Sequence, residues 1–82
     1  AVESLEDRIA AEGYDYFAVG ENIYAGDEMW NSSYRAFRAW LYSAAHFSVM
    51  THTALTEIGI GYVYNPDSRY GGYFTADFAS PE

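Results

Sequence analysis

Residues 56–78 alternate with period two on either side of a dense cluster of turn formers, and this pattern constrains the fold more than any other feature. Over residues 56–64, Ile58, Ile60, Tyr62 and Tyr64 share one face, and Gly59, Gly61 and Val63 share the other. Asn65-Pro66-Asp67-Ser68 and Gly71-Gly72 make the connection, after which Phe74, Ala76 and Phe78 alternate again. The pattern predicts an antiparallel hairpin. Two strands alone are marginally stable in water, so the remaining residues must supply more sheet or a covering helix. Gly59 and Gly61 weaken a strand intrinsically and mark a place where another element comes close.

The residues before the hairpin predict two helical segments. Ser4-Leu5-Glu6-Asp7 has the hydroxyl and carboxylate spacing that satisfies the free amides of a first turn. A short helix follows to about Glu12, burying Leu5, Ile9 and Ala10, and Gly13 ends it in the left-handed conformation. Residues 14–18 read as a connector with aromatic anchors. Gly20-Glu21-Asn22-Ile23, a polar stretch set between glycines, reads as a bend that presents Glu21. Asn31, Ser32 and Ser33 offer caps for the second helix, where Trp30, Tyr34, Phe37, Leu41 and Ala44 recur at helical spacing and form the expected core face. Asn31-Ser32-Ser33 also fits a glycosylation acceptor, but the capping reading is preferred because short patterns match by chance.

Composition limits what such a chain can do. With 82 residues it forms one domain at most, and a core of that size is marginal without disulfides, a metal or a partner. Cysteine is absent, so no disulfide contributes. Twelve acidic residues against four arginines give a net charge of -8, which disfavours nucleic acid and anionic membranes as partners. No apolar run approaches a membrane span, so membrane insertion is not expected. The nine tyrosines and 20% aromatic content exceed what these few elements bury, and an exposed excess would be an association surface.

Four motifs in order carry a family resemblance: Gly20-Glu21-Asn22-Ile23; Trp40 six residues before His46; Thr56-Glu57-Ile58-Gly59-Ile60-Gly61-Tyr62; and Tyr73-Phe74-Thr75-Ala76-Asp77-Phe78. Together they resemble the CAP superfamily of cysteine-rich secretory, antigen-five and pathogenesis-related proteins. The similarity is to its disulfide-free bacterial branch, the SCP-like extracellular proteins. The resemblance implies an α+β fold, part of a three-layer α-β-α sandwich that in the family spans about 130 to 150 residues. On this reading residues 1–82 form the C-terminal portion of a single CAP domain, and the N-terminal half is absent, cut away or supplied by another chain. A secreted, extracellular or periplasmic location is implied as well.

Family members gather two histidines and two acidic residues in a cleft. By resemblance, Glu21 is similar to the glutamate of the Gly-Glu-Asn motif and His46 to the second histidine; the first histidine belongs to the missing half. The other glutamate has no counterpart near Trp40, where Leu41, Tyr42 and Ser43 stand. Ala76 and Phe47 occupy positions where many relatives carry Gln and Arg.

A His and a Glu in one cleft can bind a divalent metal, exchange protons or hydrogen-bond a ligand. They can equally serve only to tie the second helix to the bend. Glu21 and His46 are therefore candidate ligand-binding residues. They become metal ligands only if the missing half adds a third donor, so no cofactor is expected here and zinc enters only in the full domain. His52 reads as a solvated helix end. Ser43 lies three residues before His46 but lacks the third group that orients a triad, and no catalytic residue is assigned.

The favoured function is a secreted, non-enzymatic binding domain for a lipid- or sterol-like ligand or a cell-surface protein partner. The alternatives are a metal-assisted hydrolase, most simply a peptidase, and an accessory subunit whose missing half docks on it.

Overall fold

The computed structural model describes residues 4–82. Its elements run α1 (Leu5–Ala11), β1 (Tyr16–Gly26), a short 3-10 turn (Glu28–Trp30), α2 (Ser33–Leu41), α3 (Ala44–Met50), β2 (Glu57–Tyr64) and β3 (Gly72–Pro81). The fold is mixed α+β, and its three strands form one antiparallel sheet in the order β1-β3-β2. The predicted hairpin is β2-β3, with Ile60 opposite Ala76 and Tyr62 opposite Phe74. In the connection the Asn65 side-chain oxygen accepts from the Asp67 amide at 3.0 Å, and the Asn65 amide donates to the Gly71 carbonyl at 2.7 Å.

The first helix forms as its sequence predicts. The Ser4 hydroxyl accepts from the Asp7 amide at 3.0 Å, and Gly13 follows with φ +74, a conformation in which a β-carbon is strained. α1 buries none of its residues fully: of the expected stripe, Leu5 and Ile9 are half-buried and Ala10 is exposed.

Residues 20–23 are not a bend. They lie inside β1, where Gly20, Glu21 and Asn22 face Phe78, Asp77 and Ala76 across the ladder. The strand also takes in most of the expected connector, starting at Tyr16 with an irregularity between Tyr16 and Ala18. A polar triplet between glycines has weak strand preference, but tertiary partners decide the outcome here. Glu21 meets Arg8, and the Asn22 side-chain Nδ2 donates to the His46 carbonyl at 3.1 Å.

The second helical segment divides in two. The Tyr42 and Ser43 amides donate to the Arg38 and Trp40 carbonyls, closing α2, and Ser43 is extended (φ -108, ψ 121) before α3 begins. Ser32 is the cap of α2, its hydroxyl accepting from the Arg35 amide at 3.1 Å.

The expected core face of this helix is also corrected. Trp30, Tyr34, Phe37 and Leu41 are exposed, and the buried stripe is Ala36 (1% exposed) and Trp40 (8%) against Ala76 (1%). Alanine against alanine lets the helix approach the sheet closely, which a stripe of tyrosine and phenylalanine would prevent. The Trp40 indole N–H donates to the Ile23 carbonyl at 3.1 Å, so the one large buried ring keeps a partner. Tyr24, Met50, Phe74 and Phe78 pack around this small core, and Phe74 sits 4.6 Å from the Tyr62 ring centroid.

Strand alternation assigns the helices to the two faces. Asn22, Ala76 and Ile60 share the face covered by α2, whereas Glu21, Asp77 and Gly59 share the face that α1 reaches through Arg8. This arrangement is compatible with a layered α-β-α sandwich. The expected close approach to Gly59 and Gly61 does not occur among the described residues, because a β-carbon at either would meet nothing within 4 Å. The tight contacts are at Gly72 and Gly26 instead, where a β-carbon would overlap the Asn31 side chain and the Trp30 backbone carbonyl, respectively.

Candidate ligand-binding site

Glu21 projects from the middle of β1 toward α1. Its carboxylate accepts from the Arg8 guanidinium at 2.7 Å, and its side chain is 14% exposed. Asp77 stands directly opposite on β3, 30% exposed, with one oxygen 3.9 Å from Arg8 and the other buried without a partner. Two carboxyl groups therefore share a single cation.

Burial pushes the Asp77 carboxyl up to about 6, reinforced by the hydrogen bond to Glu21 and its negative charge, with Arg8 offsetting part of the rise. Burial alone would raise Glu21 too, but the hydrogen bond to Asp77 and the Arg8 guanidinium outweigh it and hold Glu21 below the ordinary carboxylate value. Between the ordinary carboxylate range and about pH 6 both directions describe one state, in which Asp77 carries the proton and Glu21 the charge.

His46 is engaged elsewhere. On the first turn of α3, its Nδ1 lies 2.8 Å from the Ser43 hydroxyl at the start of the helix. Among the described residues no hydrogen bond or ion pair joins Glu21 to His46. The residue of β1 that reaches the His46 segment is Asn22, fully buried, whose side-chain oxygen has no partner. His52 lies just past α3, exposed, and its Nδ1 accepts from the Ala54 amide at 3.2 Å.

The donors present do not fit a zinc site. Glu21 is committed to Arg8 and His46 to Ser43, and among the described residues no group of three His, Cys, Asp or Glu side chains is disposed to hold a metal. Arg8 and Asp77, the actual partners of Glu21, went unrecognised in the sequence. Asp77 stood in the last motif as one strand residue among others, and only the β1-β3 register reveals that it faces Glu21.

Two concavities flank the sheet. On the α1 side a cavity of about 540 Å³ is lined by Arg8, Ile9, Glu12, Tyr14, Glu57, Ile58, Gly59, Asp77 and Ala79, and the Tyr14 hydroxyl donates to Glu57 at its rim. The hydrogen bond to that carboxylate, with minor help from burial and its charge, raises the Tyr14 phenol above its ordinary value. On the other side a groove of about 520 Å³ runs between α2 and the hairpin. Ala36, Phe37, Trp40 and Met50 form its helical wall, and Ile58, Ile60, Phe74, Ala76 and Phe78 its sheet wall, with Ser33 the single polar residue. The α1 cavity mixes charged side chains with apolar surface, whereas the groove presents almost only hydrocarbon and aromatic surface that water covers poorly.

Among the described residues no helix is long and apolar enough to cross a membrane. No curated protein and no solved structure gives a significant match. The family model described as cysteine-rich secretory protein family matches residues 5–78, which takes in α1, the Glu21 strand, both core helices and the hairpin through Phe78. With no cysteine, and in keeping with a disulfide-free branch, this chain belongs to the CAP family of cysteine-rich secretory proteins.

Proposed function

We propose that the protein is a secreted, non-enzymatic binding domain that takes an apolar, lipid- or sterol-like ligand in the groove between α2 and the hairpin. The groove itself carries the reading. Its lining is apolar except for Ser33, and Ile58 and Ile60 on its β2 side are 60% and 67% exposed. Its 520 Å³ lies within the range of roughly 300–1,000 Å³ common for small-molecule sites. Each square ångström of ligand and groove removed from water contributes about 25 cal/mol, so a hydrocarbon ligand needs no charged partner to be held here.

Titration with a fluorescent sterol tests this reading. Trp40 floors the groove and Trp30 lies outside it, so a Trp30→Phe background reports on Trp40 alone. Saturable energy transfer from Trp40, abolished by Ile60→Asp and retained in Glu21→Gln, supports the reading. Sterol binding that ignores Ile60→Asp refutes it.

A second reading draws on a different observation. Every residue of β2 is exposed, and the strand lies at the sheet edge with one side unpaired among the described residues. An accessory subunit whose sheet is completed by another polypeptide, either a partner or the N-terminal half of a CAP domain, accounts for such an edge. Stability of the purified chain that rises with its concentration supports this reading, because association stabilises by mass action. Cooperative unfolding independent of concentration opposes it.

A further inference from the structure

The solvent face of α2 carries the kind of residues that a helix on a sheet ordinarily turns inward. Tyr34, Arg38 and Tyr42 recur four apart and so form one stripe, across the helix from the buried Ala36 and Trp40. Tyr34 is 60% exposed and Tyr42 74%. Phe37 flanks the stripe, and Trp30 extends it from the preceding turn. Trp30, Tyr34 and Phe37 belong to the repeat that periodicity alone assigns to the core.

The two arginines of this face are held in place by its rings. Arg38 donates to the Tyr34 hydroxyl at 3.0 Å, and its guanidinium carbon lies 5.7 Å and 5.1 Å from the Tyr34 and Tyr42 ring centroids. The Arg35 guanidinium lies 4.4 Å from the Trp30 centroid. Among the described residues neither has a carboxylate within 4.0 Å, although the chain holds 12 acidic residues. α2 itself contains no Asp or Glu. A chain of net charge -8 thus displays a cationic aromatic ridge whose two arginines have no acidic partner within 4.0 Å among the described residues.

We propose that this ridge is a docking surface for a protein segment that carries carboxylates beside apolar side chains. Guanidiniums stacked on rings are already ordered, so two N–H groups can meet a carboxylate with little further loss of freedom. Aromatic and arginine side chains are the types that dominate binding at protein interfaces. An aromatic side chain buries about 150–250 Å² when covered, so Trp30, Tyr34, Phe37 and Tyr42, exposed by half or more, offer on the order of 400 Å². With the arginine stems added, the ridge supplies more than half of the ~800 Å² per partner of a standard interface, which suits a small, reversible contact. An anionic membrane fits less well, because polybasic lipid sites use clusters of roughly four to eight cations and the rest of this chain repels an anionic surface.

The ridge meets the groove only at Phe37, and Arg38 and Tyr42 lie outside the groove lining, so the tests of the two sites separate. The probe is a synthetic peptide alternating glutamate with leucine and phenylalanine, compared with the same peptide carrying glutamine, each titrated into the isotopically labelled protein. The glutamate peptide is expected to bind in the micromolar range and to shift amide signals of residues 30–42. The glutamine peptide, and the glutamate peptide on Arg38→Gln or Tyr42→Ser, are expected to bind about tenfold more weakly or worse. Both substitutions are on solvent-exposed side chains, and unchanged circular dichroism verifies the fold. The proposal is overturned if the glutamate peptide does not bind, if glutamine serves as well, or if both variants bind like the parent. Phosphatidylserine vesicles binding more tightly than the peptide, with that binding lost in Arg38→Gln, would assign the ridge to lipid and also overturn it.

Discussion

Replacing Asp77 with asparagine should stabilise the protein at neutral pH and remove a pH dependence that the parent shows. In the parent, Asp77 is pushed from an ordinary 3.8 to about 6, first by burial and then by the Glu21 carboxylate opposite it. A group whose value is raised on folding contributes its full stability below its unfolded value and loses that contribution as pH rises through its folded value. The parent therefore loses Asp77-linked stability between about pH 4 and a little above pH 6. Glu21 acts oppositely: it is held below its ordinary 4.5, so its contribution is present above that value and fades as the pH falls further. The cluster is most stable at mildly acidic pH.

The rise at Asp77 corresponds to about 3 kcal/mol at most, and a side chain 30% exposed to solvent reduces this to about 1–2 kcal/mol. Asparagine donates to Glu21 at every pH and carries no charge, so Asp77→Asn should gain about 1–2 kcal/mol at pH ~7.5 and about half of that at pH ~5. Urea unfolding followed by tryptophan fluorescence at both pH values measures the difference, and comparing parent with variant cancels the slopes of the other carboxylates. An Asp77→Asn protein less stable than the parent at the higher pH, or an equal effect at both, would refute the account of a proton shared between two carboxyl groups.

Two smaller perturbations test the frame around the site. Trp40→Phe removes the donor to the Ile23 carbonyl and opens space beside Ala36 and Ala76, and should cost about 2–3 kcal/mol by urea unfolding. Ser32→Ala leaves the Arg35 amide without its cap and should cost about 1 kcal/mol, with loss of helical ellipticity at raised temperature.

The readable parts of the chain were those written in local chemistry. The Ser4 cap, the Gly13 stop, the Ser32 cap and the β2-β3 hairpin need only near neighbours, and each formed where predicted. β1 was misread because its stability comes from partners far along the chain: Arg8 for Glu21, the His46 carbonyl for Asn22, and all of β3 as a ladder. The α2 face was misread because helical spacing marks a stripe without saying which way it points. The direction is set by the fit of Ala36 to Ala76, and a single sequence does not display that pairing. For the same reason Glu21 could be singled out while Asp77 could not, since the carboxyl pair exists only through the strand register. The family resemblance, drawn from four motifs in order, anticipated the match over residues 5–78.

The most direct test of the binding account follows the methyl signals of Ile58, Ile60, Ala36 and Ala76 by NMR while a sterol or fatty acid is added. These four side chains line both walls of the groove, and none but Ile58 touches the cavity on the α1 side. Saturable shifts at all four, with the Ala79 methyl and the Gly59 amide unmoved, are predicted. Shifts confined to Ile9, Gly59 and Ala79, or none at all, would contradict a ligand seated between α2 and the hairpin.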